Sequence, residues 1–286
     1  MTVCVAGLGE VGLPAAEYIA EKGLPTYGYD VDMVKVDRAK KNGIISTTCW
    51  EDLPHNEIKV YILCVSTGWG QNGPILSAVL DVCQKISLRP QPPYLVSIES
   101  TVPFGTCRML AEKIFRKKVY LVHVPHRYWK EDPVRYGVRQ PRVIGGINKQ
   151  SLMRGINFYS RLKIPIFPVS NIEVAELSKL VENSYRFVQI SFAEQMKIIC
   201  DSKGIDFEEL RKAVNTKWNV DLLEAREGIG GHCLPKDIRY LIYSAGKSTP
   251  LLEGAILADR MYQWYLKHFD HFIYSKLPDL EALLDA

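Results

Sequence analysis

The sequence lacks the features that mark several large classes of protein. It contains no C-x-x-C pair, and its seven cysteines are an odd number, so neither a structural zinc site nor a disulfide framework is expected. No apolar run is long enough to cross a bilayer, so we expect no membrane partner. No basic run with interleaved aromatic residues occurs, and the net charge of +4 is too small to indicate nucleic-acid binding.

Signals for export and for repetition are also missing. The segment Val3–Gly7 already has the pattern of a buried strand, so we expect no secretory signal peptide. With unpaired cysteines, this predicts a cytoplasmic location. Hydrophobic residues make up 47% of the chain and charged residues 24%, which is typical of a globular protein. No internal repeat is present, and a length of 286 residues favours two domains over one.

Short apolar runs alternate with helical patterns as far as residue 165, as is typical of a parallel sheet wrapped by helices. The candidate strands are Thr2–Ala6, Thr26–Tyr29, Val60–Cys64, Tyr94–Ile98, Tyr120–His123 and Arg142–Gly145. The later periodicity predicts helices over Asn171–Lys203, Phe207–Val214, Ile238–Ser244 and Leu251–Phe269. We therefore predict an α/β fold: a Rossmann-like, doubly wound parallel sheet over 1–168, an all-helical domain over 169–270, and a tail over 271–286.

A glycine pattern after the first predicted strand indicates dinucleotide binding. Gly7, Gly9 and Gly12 have the G-x-G-x-x-G spacing and open a helix near Pro14, so that a pyrophosphate would lie on backbone N–H groups at the helix start. The second strand ends in Asp30, where a carboxylate binds ribose hydroxyls and repels a 2′-phosphate, which predicts NAD over NADP. The alternative is a glycine-rich turn without a ligand. The full predicted set of cofactor-binding residues is Gly7, Gly9, Glu10, Val11, Gly12, Asp30, Lys35, Val65, Thr67 and Thr101.

The segment Gly230–Asp237, with sequence GGHCLPKD, is the strongest candidate for chemistry. Glycines let a substrate approach the backbone, and a cation near a thiol favours the nucleophilic thiolate. Cys233 with a redox dinucleotide suggests oxidation through a covalent thiohemiacetal and thioester. The alternative for Cys233 is an inert buried thiol, as expected for Cys4 and Cys64 in their apolar runs.

Two residues of the long predicted helix could assist this cysteine. Lys179 and Asn183 are four residues apart and so project from one helix face. A cation fixed where negative charge develops can be the largest single contribution to catalysis. The alternative for Lys179 is an ordinary solvated side chain.

Four motifs together resemble the UDP-glucose/GDP-mannose dehydrogenase family, over residues 1 to about 268. They are Gly7–Pro14, Ser100–Thr106, Glu176–Leu180 followed by Asn183, and Gly230–Asp237. The resemblance implies that a sugar C6 alcohol is oxidised to a carboxylate with two NAD, by way of an aldehyde, a cysteine thiohemiacetal and a thioester. It also implies a nucleotide sugar or a shorter polar alcohol as substrate, and a homodimer formed through the helical domain.

The resemblance also implies roles for individual residues. Cys233 resembles the nucleophile and Lys179 the cation that stabilises oxyanions. Asn183 and Asp237 resemble groups that orient the lysine and a water molecule, and Thr101 resembles a polar group beside the nicotinamide. Glu176 is expected at the helix surface or in a partner contact. No metal is implied.

The sequence departs from the family pattern in two places. Where the family has Pro-Glu after the fifth strand, this chain has Pro125-His126. Imidazole ordinarily titrates near neutrality and can act as a base. If neither a glutamate nor this histidine acts as the base, general-base assistance of roughly 10²–10⁴ in rate is lost. The family also continues with another α/β domain, so the chain is expected to be a short form whose substrate is smaller or is held partly by another chain.

Two other functions stay open at this stage. A two-electron β-hydroxyacid-type dehydrogenase shares the Rossmann domain and a lysine–asparagine pair, but it needs no cysteine, so the Cys233 motif argues against it. A non-catalytic NAD-binding interaction or regulatory protein is suggested by His126 and the expected missing domain. The joint presence of Lys179, Asn183, Cys233 and Asp237 argues against that function.

Overall fold

A β-sheet forms the centre of the first of two compact units. The computed structural model describes residues 1–268, and the units divide between Lys179 and Leu180. The strands are β1 (Thr2–Ala6), β2 (Thr26–Tyr29), β3 (Ile45–Thr47), β4 (Ile58–Leu63), β5 (Gly68–Gly70), β6 (Gly73–Ile75), β7 (Leu95–Ile98), β8 (Leu121–His123), β9 (Arg142–Gly146) and β10 (Ile166–Pro168). Within the described residues the main sheet has eight strands in the order β10-β9-β8-β7-β4-β1-β2-β3, and β5 pairs with β6 in a separate hairpin.

The register of the central strands sets the position of the candidate site. Ala6 of β1 pairs with Tyr29 of β2 and with Leu63 of β4, and Leu63 pairs with Ile98 of β7. These pairings are parallel, so all four strands end at one edge of the sheet. The chain order runs outward in both directions from β1 and β4, and ligands of such sheets bind at the carboxyl ends near this reversal.

The helices of the first unit cover both faces of the sheet. They are α1 (Gly12–Glu21), α2 (Met33–Lys41), α3 (Ser77–Ser87), α4 (Thr106–Met109), α5 (Pro133–Tyr136) and α6 (Lys149–Arg161). Because strand side chains alternate between faces, Val3 and Val5 pack with α1, α2 and α6, whereas Cys4 and Ala6 pack with α3 and α4. The strands are therefore buried on both faces, which is why they appear as continuous apolar runs in the sequence.

Helices form the second unit. The long helix α7 (Ile172–Lys203) begins in the first unit and continues into the second. Its first residue, Ile172, packs in the core on the α3 and α4 face of the sheet. It is followed by α8 (Phe207–Val214), α9 (Cys233–Ala245) and α10 (Pro250–Lys267). Phe187, Ile238 and Ala255, one residue each from α7, α9 and α10, form a buried cluster with Ile229 from the preceding loop.

The structure confirms the α/β fold with a helical region after it, and it corrects several details. Strands β3 and β10 and the β5–β6 hairpin were not predicted, since each is only three residues long. Strand β9 runs antiparallel to β8, so the sheet is not wholly parallel. Helix α9 begins at Cys233 and not at Ile238, because Pro235 lies in its first turn, where a missing N–H costs nothing.

Two expectations from the sequence are not settled by the fold. The three-part division at residues 168 and 270 stays a prediction, and the proposed tail over 271–286 lies outside the described residues. Among residues 1–268, no helix combines the length and the apolar content that a bilayer crossing requires.

Candidate active site

The glycine loop after β1 has the geometry of a dinucleotide site. Gly7 has a φ of +91°, and a Cβ added there would lie 2.5 Å from the carbonyl oxygen of Cys64. A Cβ on Gly12 would lie 1.7 Å from the carbonyl oxygen of Gly7. A Cβ on Gly9, in contrast, would meet no atom within 4 Å. Packing therefore requires Gly7 and Gly12, whereas Gly9 leaves open space in front of the N–H groups that begin α1.

Asp30 closes one side of a cavity of about 240 Å³ at the ends of β1, β2 and β4. Its buried carboxylate accepts hydrogen bonds from the N–H groups of Leu8 (2.8 Å) and Asp32 (3.0 Å). The ammonium of Lys35 lies 3.7 Å from the Asp30 carboxylate and also lines the cavity. Carboxylate oxygens accept more than one hydrogen bond, so Asp30 keeps capacity for a ribose hydroxyl.

Of the other predicted cofactor residues, Val65 lines this cavity, whereas Thr67, Thr101, Glu10 and Val11 are not among its lining residues. Val65 lines the cavity, and its carbonyl oxygen accepts a 2.7 Å hydrogen bond from the Ser100 hydroxyl. The Thr67 hydroxyl donates to the carbonyl oxygen of Thr101 at 2.9 Å. These two bonds join the segment after β4 to the segment after β7. They therefore hold Thr101 in a fixed position relative to Val65. In the glycine loop, Glu10 forms a solvent-exposed ion pair with Lys130 at 3.3 Å, and Val11 directly precedes α1.

Glu176 fixes the Ser100–Thr106 segment to helix α7. Its carboxylate is fully buried and accepts hydrogen bonds from the N–H groups of Gly105 (2.6 Å) and Cys107 (2.7 Å), at the start of α4. Burial raises the pKa of Glu176 to about 7, although these two hydrogen bonds oppose the shift. The expectation of a surface position was wrong, because α4 leaves N–H groups at its start that need a buried acceptor. Lys179 lies one turn further along α7, so this clamp links the Thr101 segment to the helix that carries the lysine.

A buried cluster of charged and polar side chains lies behind the end of β7. Glu99 accepts hydrogen bonds from Arg142 (2.9 Å), from the Tyr159 hydroxyl and from Nε2 of His126. The Tyr159 hydroxyl in turn is 2.7 Å from the Ser97 hydroxyl. A second nitrogen of Arg142 donates to the carbonyl oxygen of Val138 at 2.8 Å. The cluster is thus closed by hydrogen bonds on several sides, which is what makes a buried charge tolerable.

Two effects set the protonation states of Glu99 and His126. Burial disfavours the charged form of each group, and neighbouring charges and hydrogen bonds also shift its pKa. Burial opposes the charge on Glu99, but the charge of Arg142 and the hydrogen bonds from His126 and Tyr159 outweigh it and lower the pKa of Glu99. Burial, followed by the Arg142 charge, lowers the pKa of His126 to about 4, with Lys179 adding to that effect. The expectation that His126 titrates near neutrality was therefore wrong. At neutral pH the imidazole is uncharged, and its Nε2 proton points to Glu99.

Cys64 joins the cofactor cavity to this cluster. It is partly buried, lines the cavity, and places its Sγ 3.9 Å from both Glu99 and Nε2 of His126. It also packs against the apolar core and burial raises the pKa of its thiol well above the usual value, as the expectation of an inert thiol in an apolar run predicted. In the part of the chain that the structure describes, Cys64, Glu99 and His126 are the trio whose donor atoms approach metal-ligand spacing. The guanidinium of Arg142 contacts both Glu99 and His126, which are also bonded to each other, so a metal ion would have to break these contacts.

Cys233 is exposed and is the first residue of helix α9. Gly231, two residues earlier, has a φ of +76°, which glycine adopts without strain. The start of a helix stabilises negative charge placed near it, whether on a thiolate or on an oxyanion. The local geometry thus suits a nucleophile, although the motif alone left an inert thiol open.

Asn183, Lys236 and Asp237 meet in the second unit. The Asn183 side-chain amide donates to Oδ2 of Asp237 at 2.5 Å, and the ammonium of Lys236 is paired with Oδ1. Lys236 is buried and lies 4.3 Å from the ring centroid of Tyr240. The ammonium of Lys236, the cation of the Gly230–Asp237 motif, is therefore paired with the Asp237 carboxylate and lies against the Tyr240 ring. The resemblance implied that Asn183 and Asp237 orient Lys179 and a water molecule; the structure pairs Asn183 with Asp237 directly, and that orienting role stays a prediction. Lys179 is the last residue of the first unit.

The glycine loop, the acid at the end of β2 and the cavity between them define an NAD-binding protein of the Rossmann class with a helical unit attached. Residues 46–163 match the model for the UDP-glucose/GDP-mannose dehydrogenase family, NAD binding domain, and residues 173–258 match that for the family's central domain. The chain belongs to the UDP-glucose/GDP-mannose dehydrogenase family. This confirms the resemblance inferred from the four motifs.

Three comparisons illustrate the relationship. A UDP-N-acetyl-D-mannosamine dehydrogenase from Methanococcus vannielii is 29% identical over 279 residues, covering 91% of this chain and 65% of the relative. One from Pyrococcus horikoshii is 31% identical, covering 89% of this chain and 67% of the relative. A solved structure of the UDP-D-ManNAc dehydrogenase from Pyrococcus horikoshii superimposes with a TM-score of 0.85 at 28% identity, covering 93% of this chain and 70% of that one. The chain thus spans about two-thirds of the length of these relatives.

Sequence patterns alone missed Glu99 and Arg142. Glu99 directly follows β7 and Arg142 is the first residue of β9, so each borders a buried strand, where a charged residue is rarely tolerated unless it is paired. That position was the available signal, but the partner of each is 43 residues away in the chain. Glu176 was noticed, but its burial depends on where α4 lies and could not be derived from its own helix.

Gly9 and Gly12 offer a matched test of the cofactor site. We expect Gly9→Ala to keep the melting temperature of the parent, because its Cβ enters open space, and to weaken NAD binding at least about tenfold by obstructing the pyrophosphate. Gly12→Ala should lower stability by about 1–3 kcal/mol, because its Cβ overlaps a carbonyl oxygen. Thermal melts and calorimetric NAD titration measure both effects. Unchanged NAD affinity in Gly9→Ala would contradict the assignment.

Proposed function

We propose that this protein oxidises the primary alcohol of a nucleotide sugar with NAD, by way of an adduct on Cys233. The observation that supports this most directly is an exposed cysteine at the start of α9, with the Asn183–Asp237 pair in the same unit and a dinucleotide pocket in the other. The relatives act on UDP-N-acetyl-D-mannosamine, so this compound is the first substrate to test.

The roles of the residues follow from their chemistry. Bound NAD supplies the hydride acceptor for each of two oxidations. Lys179 stabilises the alkoxide from which the first hydride leaves, and the product is an aldehyde. The Cys233 thiolate adds to the aldehyde carbon to give a thiohemiacetal, and loss of a second hydride gives a thioester. Water then cleaves the thioester, releasing the carboxylate and regenerating the thiol.

Asn183 and Asp237 act through position in this proposal. Asp237 is held by the Asn183 amide on one oxygen and by Lys236 on the other, so its carboxylate has a fixed orientation. A fixed carboxylate in the same unit as Cys233 can orient water for the hydrolysis. The Thr67 hydroxyl binds the carbonyl oxygen of Thr101 in the segment after β7, which supports the proposal that Thr101 lies beside the nicotinamide.

Substitution of Cys233 tests the covalent route. We expect Cys233→Ala and Cys233→Ser to abolish carboxylate formation while leaving NAD affinity unchanged, because the cofactor pocket lies in the first unit. The assay follows NADH and the acid product with UDP-N-acetyl-D-mannosamine, and mass spectrometry detects the adduct on the parent protein. Cys49→Ala, which removes the other exposed cysteine, is the matched control and should behave as the parent.

The remaining functions have distinct outcomes in the same assay. Full acid production by Cys233→Ala would overturn the covalent route, and a ketone product in its place would support the β-hydroxyacid alternative. If neither the parent nor any variant forms NADH with a panel of nucleotide sugars and small alcohols, the non-catalytic function gains support.

We further propose that His126 serves as the base of the hydrolytic step in place of the family glutamate. Glu99 accepts the Nε2 proton, which leaves Nδ1 as the basic nitrogen, in the way that a carboxylate orients a catalytic imidazole. The burial and charges that lower its pKa to about 4 give the imidazole a basicity close to that of an ordinary glutamate. The histidine is thus a neutral base of similar strength in this position.

The pH dependence of thioester hydrolysis tests this role. His126 binds its proton only as the pH falls through about 4, so the rate should be level from pH 5 to 8 and decline below that range. His126→Gln should slow hydrolysis by roughly 10²–10⁴ and accumulate the Cys233 adduct. A hydrolysis rate in the parent that falls as the pH drops through about 6.5 would contradict the proposal. Hydrolysis by His126→Gln at the parent rate would also contradict it.

A homodimer through α7 is the partner proposal. Val181, Tyr185, Phe192 and Ile199 are exposed on this helix, and their spacing of four, seven and seven residues places them along one face. An apolar stripe of this kind marks an interface, and a second copy offers a matching stripe. The cytoplasmic location stays a prediction.

Sedimentation velocity tests the dimer. The parent should sediment at about twice 32.5 kDa, and Phe192→Asp should reduce it to a monomer because a carboxylate would be buried in the apolar contact. Trp218→Asp is the matched control, since Trp218 is a 92% exposed aromatic residue outside α7. A monomeric parent would contradict the proposal.

A further inference from the structure

The loop that leads into Cys233 is anchored to helix α10. The buried carboxylate of Asp259 accepts a 2.8 Å hydrogen bond from the N–H of Ile229. One turn later, the buried Tyr262 donates from its hydroxyl to the carbonyl oxygen of Arg226 at 2.8 Å. Two backbone groups of the loop are thus bound by two side chains of one helix, and Cys233 follows Ile229 by four residues.

Side-chain packing holds the same loop. Ile229 is buried among Phe187, Ile238 and Ala255, so it joins the loop to α7, α9 and α10. Gly228 has a φ of +87° and lies directly against the side chain of Gln263. Gln263 in turn donates to the other oxygen of Asp259 at 2.9 Å. Helix α10 therefore holds the loop through both polar and apolar contacts.

Glu194 is the unusual neighbour of this anchor. It is fully buried on α7, and neither carboxylate oxygen has a hydrogen-bond partner among the described residues. Burial, with the charge of Asp259, raises the pKa of Glu194 to about 8, so it is protonated at neutral pH. Burial also raises the pKa of Asp259, but its hydrogen bonds from Ile229 and Gln263 favour the charged form. A neutral Glu194 spares Asp259 the repulsion of a second buried carboxylate.

We propose that Asp259 and Tyr262 are positioning residues that hold the Arg226–His232 loop and thereby fix Cys233 at the start of α9. The inference rests on the proposed function of Cys233. Neither residue belongs to the four motifs that carry the family resemblance, and neither needs to touch substrate. Displacement of a nucleophile by about 1 Å can cost on the order of 100-fold in rate, so an anchor one loop away affects catalysis.

Tyr262→Phe and Tyr265→Phe form a matched pair for the test. The two rings stack at 5.8 Å, both are buried on α10, and each substitution removes one hydroxyl. The Tyr262 hydroxyl binds the loop, whereas the Tyr265 hydroxyl binds Asp201. Asp259→Ala removes the second anchor, and Asp259→Asn restores an oxygen acceptor for the Ile229 N–H.

Hydrogen exchange and turnover are measured on the full chain. Amide exchange in peptides covering 226–232 should accelerate about tenfold in Tyr262→Phe and Asp259→Ala, but not in Tyr265→Phe or Asp259→Asn. With UDP-N-acetyl-D-mannosamine, kcat for acid formation should fall at least about tenfold in the first two variants, while the KM for NAD stays at the parent value.

The two readouts separate failure of this inference from failure of the proposed function. If Tyr262→Phe and Tyr265→Phe exchange and turn over alike, the anchor is overturned. Faster loop exchange with unchanged kcat would overturn the positioning role.

If the parent has no activity, the proposed function fails. The rate of Cys233 alkylation by iodoacetamide, with Cys49 as internal reference, then replaces kcat as the second measurement. Equal alkylation rates in Tyr262→Phe and Tyr265→Phe would then overturn the inference. If Asp259→Ala does not fold, the tyrosine pair carries the test.

Discussion

The parallel register of β1, β2, β4 and β7 is the constraint on which the first unit depends. Because Ala6, Tyr29, Leu63 and Ile98 lie in line across the sheet, the residues that follow them emerge at one edge. Gly7, Asp30, Cys64 and Glu99 are thereby gathered from four distant parts of the chain. The cofactor cavity and the buried charged cluster are two consequences of this single alignment.

Buried carboxylates then organise the polar groups around that edge. Glu99 is held by Arg142 and Tyr159, and Glu176 by two N–H groups at the start of α4. Each would be costly to bury alone, so each fixes the segment that supplies its partner. The same balance determines the state of His126, whose environment favours a neutral imidazole.

The second unit achieves order in a different way. Its apolar clusters are small, and polar side chains tie the irregular segment between α8 and α9 to helices. Asn215 binds both backbone groups of Leu222, at 3.0 and 2.7 Å, and Asp259 and Tyr262 bind the next part of the segment. A loop with several glycines has many accessible conformations, so these bonds select the one that precedes Cys233.

Much of the fold could be predicted from the sequence by itself, because local patterns encode it. Alternation of strands and helices, the Gly7–Gly12 spacing, Asp30 at the end of β2 and the boundaries of α8 all depend on residues close together in the chain. The family motifs likewise give Lys179, Asn183, Cys233 and Asp237 as candidate site residues, and their roles stay predictions. Short edge strands, the antiparallel β9 and the early start of α9 carried no comparable local signal.

Only the tertiary structure decided the environments of the site residues. Whether His126 is charged depends on Glu99 and Arg142, and whether Glu176 is buried depends on α4. That Asp259 and Tyr262 serve the cysteine loop depends on how α10 packs in the helical unit. Ionisation and orientation are set by partners tens of residues away, through burial and hydrogen bonding that no local pattern specifies. The sequence by itself therefore determined which chemical groups are present and which fold carries them, whereas the tertiary structure decided their partners and protonation states.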